Sequence, residues 1–322
     1  MTDITLETIK TAQQKIEGRI IRTPVLELRQ TGLEELLPKG GTATMKLELF
    51  QKAGSFKARG NLLSVEALTP AQRAAGVTAA SGGNHALALA WAAKTAGISA
   101  KIAIPKTADP FRIKGCRALG AELVLCDSII DVFPKMHEIA QDEGRSIIHP
   151  FDGYNMSLGS ATCGAEFFED APNLEVVILP VGGGGLISGM AAALKVLNPS
   201  IEIYGVEPYG ADSMYQSFQS GSPQSLDKVD TIADSLGSPT ALPYSYDLTR
   251  ANVTDIVRVS DDDLRQTMRV MNESLKLMVE PACAASLTGA IGPLKSRLEG
   301  KNVGVLACGA NISRDRFMEL VG

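Results

Sequence analysis

The sequence predicts an α/β fold in which helices cover both faces of parallel sheets. Two observations predict it. Apolar runs of four to eight residues, bounded by Gly, Pro or Asp, alternate with amphipathic stretches along the chain. Several runs are continuously apolar, as in Val176-Val177-Ile178-Leu179-Pro180-Val181, the pattern of a strand buried on both faces. No obvious linker interrupts the alternation, which points to interleaved domains that share a cleft.

In chain order, the first strand is expected at Thr44–Leu49 and the first helix at Phe56–Leu68, after the polar opening Gly54-Ser55. Strand Val77–Ala80 is followed by helix Asn84–Ala96, closed by Gly97. Strand Lys101–Ile104 runs into Pro105, and helix Phe111–Leu119 begins just after Pro110. Strand Glu122–Leu125, helix Val132–Glu143 and strand Ser146–Ile148 come next, then a short helix at Cys163–Phe168. Strand Val176–Val181 leads through glycines into helix Leu186–Val196 and strand Glu202–Val206. Gly221 to Asp247, rich in Ser, Pro and Gly, is the longest irregular region, and such loops are often functional. Strand Ile256–Val259, helices Asp261–Leu275 and Ala284–Arg297, and strand Val303–Ala307 complete the alternation.

The 322 residues favour two domains at roughly 100–200 residues each. A composition 45% hydrophobic and 21% charged is globular. The net charge of −5 is spread along the chain without a basic stripe, which argues against nucleic acid as a partner. No apolar stretch approaches the roughly 18 residues of a membrane span, and the N-terminus lacks a secretory pattern. Five scattered cysteines without a Cys-x-x-Cys pair read as reduced cytoplasmic thiols rather than disulfides or a zinc site.

Four segments carry chemistry. Lys57 stands near a predicted helix N-terminus, where a cation is electrostatically out of place, so the neutral, nucleophilic amine is favoured. Gly182-Gly183-Gly184-Gly185, between a buried strand and a helix beginning at Leu186, lets backbone amides close on an anion. The register misses Gly-x-Gly-x-x-Gly, since Ile187 and Ser188 fall where the third glycine would be, and no lysine follows as in a nucleoside-triphosphate loop. A single small phosphate fits better. Ser81-Gly82-Gly83-Asn84-His85 has the same strand–glycine–helix setting and suits a carboxylate, although Ser and Asn are also ordinary helix caps. Cys308 ends the last apolar strand, where ligands of parallel sheets bind, or is simply a small buried hydrophobe.

Together with Arg22-Thr23-Pro24, Lys46-Leu47-Glu48, His149-Pro150-Phe151-Asp152, Gly205-Val206-Glu207-Pro208, Thr231-Ile232-Ala233-Asp234 and Val279-Glu280-Pro281, these segments span nearly the whole chain. In this order the chain resembles the serine/threonine dehydratase family of pyridoxal-phosphate enzymes. The resemblance implies the tryptophan synthase β-like fold, type II: two interleaved open parallel-sheet α/β domains with the cofactor in the cleft. Residues 1–50 and 150–322 would form the large domain and 51–149 the inserted small one. It also implies that Lys57 carries pyridoxal phosphate as a Schiff base and removes the substrate α-proton. Gly182, Gly183, Gly184, Gly185 and Leu186 would cradle the phosphate. Phe56, Asn84 and Glu280 would contact the cofactor, and Cys308 would face its pyridine nitrogen. A thiol there leaves the ring largely neutral, which favours prompt β-elimination over transamination. Ser81, Gly82, Gly83, Asn84 and His85 would hold the substrate carboxylate. The implied reaction is loss of water from an L-3-hydroxy amino acid of the threonine or serine type, with the cofactor phosphate placed to protonate the leaving hydroxyl. It yields a 2-oxo acid and ammonia. A cytoplasmic homodimer or homotetramer is the implied assembly, and an end at Gly322 suggests a catabolic enzyme without a regulatory domain.

Several positions depart from the family pattern or separate the chain from rival readings. Gly82 stands where the family's racemases often carry Ser, which disfavours a racemase. His85, where cysteine synthases usually have Thr, argues against β-replacement. A divalent-cation site would use Glu207, the Ala211 carbonyl and a second acid, but that position is Ser213, so Mg²⁺, a monovalent cation or water remain alternatives. The segments holding Phe151, Asp152, Tyr154 and Ser235 also differ, and are expected to line the side of the pocket facing the β-substituent. They suggest a substrate with a bulkier or acidic β-group, such as 3-phenylserine or 3-hydroxyaspartate. A non-catalytic phosphate sensor is the reading from another class, and it would have no use for a reactive Lys57.

Overall fold

The computed structural model describes residues 4–128 and 130–322. Ten strands in these residues form two sheets. The strands are β1 Val25–Glu27, β2 Ala43–Lys46, β3 Val77–Ala80, β4 Ala100–Pro105, β5 Glu122–Cys126, β6 Ser146–Ile147, β7 Val176–Pro180, β8 Glu202–Pro208, β9 Asp255–Val259 and β10 Val303–Leu306. The larger sheet has the order β1-β2-β10-β7-β8-β9 and the smaller β5-β4-β3-β6. Only β1 runs antiparallel to its neighbour. The parallel pairing of apolar runs is as expected, and β7 and β10 are buried throughout.

The helices are α1 Leu6–Ile16, α2 Lys57–Glu66, α3 Pro70–Ala75, α4 Asn84–Ala96, α5 Pro110–Ala118, α6 Val132–Glu143 and α7 Tyr154–Asp170. They continue with α8 Gly185–Leu197, α9 Ser213–Ser220, α10 Pro243–Asn252, α11 Asp261–Leu275, α12 Pro281–Ile291 and α13 Arg314–Val321. All nine expected strands are present. The edge strand β1 is additional, being only three half-buried residues with no apolar run. Among helices, α7 extends well beyond Cys163–Phe168, because its polar positions Ser157, Ser160 and Thr162 are buried against neighbouring helices. Helix α10 begins inside the stretch read as irregular, with Pro243 at its first turn. Helices α1, α3, α9 and α13 also lie outside the expected set.

The larger sheet and its flanking helices enclose one core, which includes Val176, Ile178, Met190, Leu287 and Val305. A second core joins the smaller sheet to α2, α4, α7 and α8, and it also takes in Ile9, Ala12 and Ile16 of α1. A buried ion cluster ties β2 to α2 and α7. Arg59 pairs with Glu48 at 2.7 Å and Glu166 at 2.7 Å, and Lys46 pairs with Glu166 at 3.0 Å. Breaking one member of such a cluster would leave an uncompensated buried charge, costing about 3–5 kcal/mol. The cluster fixes the first turns of α2, and thereby Lys57, against the larger sheet.

Candidate active site

Strands β3, β7 and β10 are parallel to their neighbours, and their carboxyl ends open onto one cavity of about 650 Å³. Five helices begin at its wall, with Phe56, Gly83, Gly184, Leu242 and Glu280 preceding α2, α4, α8, α10 and α12. None of the five receives a side-chain cap from that residue, whereas Thr5, Thr69, Ser260 and Ser313 cap helices elsewhere. Apart from α10, whose first turn is capped by Asp152, these helix starts keep uncapped amides at their positive ends, which makes the cavity suited to anions.

Lys57 lines this cavity, and its Nζ donates to the Pro150 carbonyl. Burial lowers its pKa from 10.5 to about 8, opposed by the nearby Cys308. The glycine loop lies across from it. Gly184 has φ of +88°, a conformation that glycine adopts without strain. A methyl on Gly183 would overlap the Phe151 ring, and one on Gly185 would overlap the Phe151 carbonyl. The loop is thus both shaped by and packed on residue 151, and its residues Gly182 to Leu186 line the cavity.

The sequence could not show that Lys57 and Cys308 share one cleft; the fold brings both to it. Phe56, Ser81, Gly82, Gly83, Asn84, His85, Phe151, Gly182, Gly183, Gly184, Gly185, Leu186, Ser235 and Glu280 are there too. The Cys308 thiol is held neutral, first by its hydrogen bond with Cys283 and then by burial. Burial also raises the Glu280 carboxyl, against the pull of Arg112. Asn84 donates to Glu280 at 2.5 Å and to Ser235 at 3.4 Å, and accepts from Asn311 at 2.6 Å.

Three expected residues behave differently. The His85 ring is turned away from ligand chemistry: Nε2 meets the Ile148 carbonyl at 2.9 Å and Nδ1 meets Asn61 at 3.1 Å. Burial lowers its pKa to about 3, so it stays uncharged. Asp152 and Tyr154 are not on the cavity wall. Asp152 accepts from the Ser245 amide at 3.0 Å in the first turn of α10, and Tyr154 packs on the second core. The chain turns at Gly153, φ +110°, straight into α7, which carries both away.

Glu207 and Ser213, expected at a cation site with the Ala211 carbonyl, have protein partners in the structure. Glu207 is buried and spends its two oxygens on the Met214 and Tyr215 amides, at 3.0 and 2.7 Å, at the start of α9. Ser213 donates to the Ser238 carbonyl at 3.3 Å, and the neighbouring acid Asp212 pairs with Arg258 at 2.9 Å. Among the described residues no group of three or more His, Cys, Asp or Glu could hold a metal ion.

Two residues escaped the sequence reading. Arg112 is buried in α5 and bonds the Asn311 carbonyl at 2.8 Å, Asp234 and, at 3.3 Å, Glu280. Phe133 lines the cavity from the first turn of α6. Neither carried a local signal, since an Arg and a Phe on amphipathic helices are ordinary.

The pattern of pyridoxal-phosphate dependent enzymes matches residues 16–309. The chain belongs to the pyridoxal-phosphate dependent enzymes. It is 46% identical to a phenylserine dehydratase of Ralstonia pickettii, over 98% of this chain and 96% of that one. It is 34% identical to an L-threo-3-hydroxyaspartate ammonia-lyase of Saccharomyces cerevisiae, over 96% and 94%. The structure of maize serine racemase superposes with a TM-score of 0.92 at 33% identity, covering 98% of this chain and 96% of that one. The fold of a pyridoxal-phosphate dependent enzyme of type II accounts for both sheets and their shared cavity. The residues present fit the cofactor: a desolvated lysine amine, and a loop at an uncapped helix start that packs so closely on Phe151 that only glycine is accommodated.

Proposed function

We propose that this enzyme is an ammonia-lyase that removes water from L-3-hydroxy amino acids with an aromatic β-group, releasing a 2-oxo acid and ammonia. One observation carries the reading. The cavity wall includes Phe133, Phe151, Pro105, Ala108, Pro239 and Leu242 beside polar residues such as Thr107 and Ser235, and Lys57 is its sole Lys or Arg among the described residues. An apolar β-group gains burial there. The Arg112 guanidinium behind the wall is already paired with Asp234 and Glu280, so a β-carboxylate would have to compete with both acids for it. The 46% identical relative named for phenylserine supports the same choice.

In this reading residues 1–50 and 150–322 form the cofactor domain and 51–149 the smaller one. Lys57 would hold the cofactor through its amine, Gly182 to Leu186 its phosphate, and Asn84, Glu280 and Cys308 its ring. The bound cofactor supplies an electron sink for charge left at the substrate α-carbon. The amides of Asn84 and His85 at the start of α4 would orient the substrate carboxylate, while Ser81 accepts from the Gly83 amide at 3.1 Å and shapes the loop. Lys57, when displaced and neutral, takes the α-proton. The opposite face has no matching base: Gly82 has no hydroxyl, and both His85 nitrogens are engaged. One base on one face favours elimination over racemisation.

The test is 2-oxo acid and ammonia release from L-threo-3-phenylserine, L-threonine, L-serine and 3-hydroxyaspartate, with wild type and Lys57→Ala. Phenylserine should give the highest kcat/KM. The variant should lose at least the roughly 10²–10⁴-fold that a positioned base contributes. A higher kcat/KM for threonine or hydroxyaspartate would remove the aromatic assignment, and absence of turnover would remove the lyase.

A further inference from the structure

The aromatic reading leaves open which residue recognises the ring. Three rings stand in a row on the cavity wall. His149 meets Phe151 edge-on, with centroids 4.7 Å apart and planes at 82°, and Phe133 lies 6.4 Å from His149 at 44°. Both separations fall in the range of roughly 4.5–7 Å at which aromatic rings attract. The middle ring is fixed and uncharged. His149 Nδ1 accepts from the Asp152 amide at 2.9 Å, and burial lowers its pKa to about 4.

The two phenylalanines differ in what else they touch. The Phe151 ring covers Gly183 and its carbonyl abuts Gly185, so it is part of the phosphate cradle. Phe133 sits in the first turn of α6, a helix packed on β3 and β4, and remains 40% exposed while lining the cavity. Its ring is a large apolar surface that becomes buried only when something apolar fills the space beside it. Pro105 and Ala108 line the same cavity and add apolar surface without charge.

We propose that Phe133, with His149 and Phe151 behind it, forms the subsite for the substrate's aryl group, and that Phe133 sets the preference for aryl over small alkyl β-groups. The inference rests on the aromatic reading above. A phenyl group placed there extends an existing ring row, whereas a methyl group reaches too little of it to discriminate.

The experiment compares holoenzyme wild type, Phe133→Ala and Phe133→Leu by the ratio of kcat/KM for L-threo-3-phenylserine to that for L-threonine. A ratio cancels differences in folding and cofactor content. The ratio should fall about tenfold in Phe133→Ala, equal to about 1.4 kcal/mol, chiefly through KM. Phe133→Leu, which keeps apolar bulk without the ring, should fall less. Calorimetric titration with 3-phenylpropanoate and butanoate gives a readout free of turnover: affinity for the phenyl acid should drop about tenfold relative to butanoate. Wild type that prefers phenylserine, with both ratios within twofold of it in the variants, overturns the inference and leaves the proposed function standing. Wild type that prefers threonine overturns the proposed function and the inference together.

Discussion

Two loops meet in the cavity with the same plan, strand then glycines then helix, yet they differ in what holds them. In the loop from β7 to α8, glycine is enforced by the protein itself. Gly184 takes a left-handed conformation, and added carbons at Gly183 and Gly185 would strike Phe151. In the loop from β3 to α4 the protein enforces little. A carbon on Gly82 would come within 3.1 Å of Pro105, and one on Gly83 would meet nothing nearer than Arg112 at 3.6 Å. The first loop is a rigid cradle whose shape is set before any ligand arrives. The second is tight against Pro105 at Gly82 but leaves room for a side-chain carbon at Gly83. Similar sequence can thus carry different packing constraints.

That difference can be broken or sharpened by experiment. The largest effect is expected from Gly185→Ala. Its methyl meets backbone, which cannot rotate away, so overpacking should cost about 1–3 kcal/mol and the cofactor should no longer stay bound through gel filtration. A lower Tm and loss of cofactor absorbance would show it, and a variant with normal Tm and cofactor content would refute the enforced cradle.

Lys57, between the loops, gives an intermediate and pH-dependent effect. Its amine is charged below about 8 and neutral above. Reconstitution of apoprotein with pyridoxal phosphate should therefore quicken about tenfold per pH unit below that value and level off above it. The sign for stability follows from the same lowering. The unfolded chain keeps the proton up to 10.5 while the folded chain releases it near 8, so this group makes the apoprotein more stable as pH rises through that window. Stopped-flow reconstitution and apoprotein melts of wild type and Lys57→Met, across pH 6 to about 10, check both. A flat reconstitution profile would place Lys57 in an ordinary aqueous setting.

The smallest effect on stability is expected from Gly83→Ala. Its methyl enters open space and should change stability by no more than about 0.5 kcal/mol, with cofactor content intact. It should raise KM for the amino acid several-fold if the loop holds the substrate carboxylate as proposed. A Tm loss as large as that of Gly185→Ala would erase the contrast between the loops.

The Lys57 segment and the tetraglycine run were legible because strand, turn and helix signals are local, and Gly-rich turns after apolar strands have few other uses. Other parts were not legible. Helix α7 hides behind buried polar positions: Ser157 finds its partner Ser188, at 2.9 Å, only once a neighbouring helix is in place, while Ser160 and Thr162 bond carbonyls of their own helix. His85 was expected to serve the ligand, and its contacts with Asn61 and Ile148 come from distant chain segments. Glu207 was expected to bind a cation, and its role as the cap of α9 depends on a turn made by the residues between them.

By itself, then, the sequence determined the class of fold, the order of its strands along the chain, and the places of Lys57 and the tetraglycine loop at helix starts. Those features rest on periodicity and backbone freedom, which act over a few residues. Only the tertiary structure decided that Lys57 and Cys308 share a cleft, that Arg112 compensates Glu280, and that Phe133 joins His149 and Phe151 in one aromatic wall. These depend on contacts between residues far apart in the chain, and burial, charge pairing and ring packing take their values only when the folded chain has excluded water.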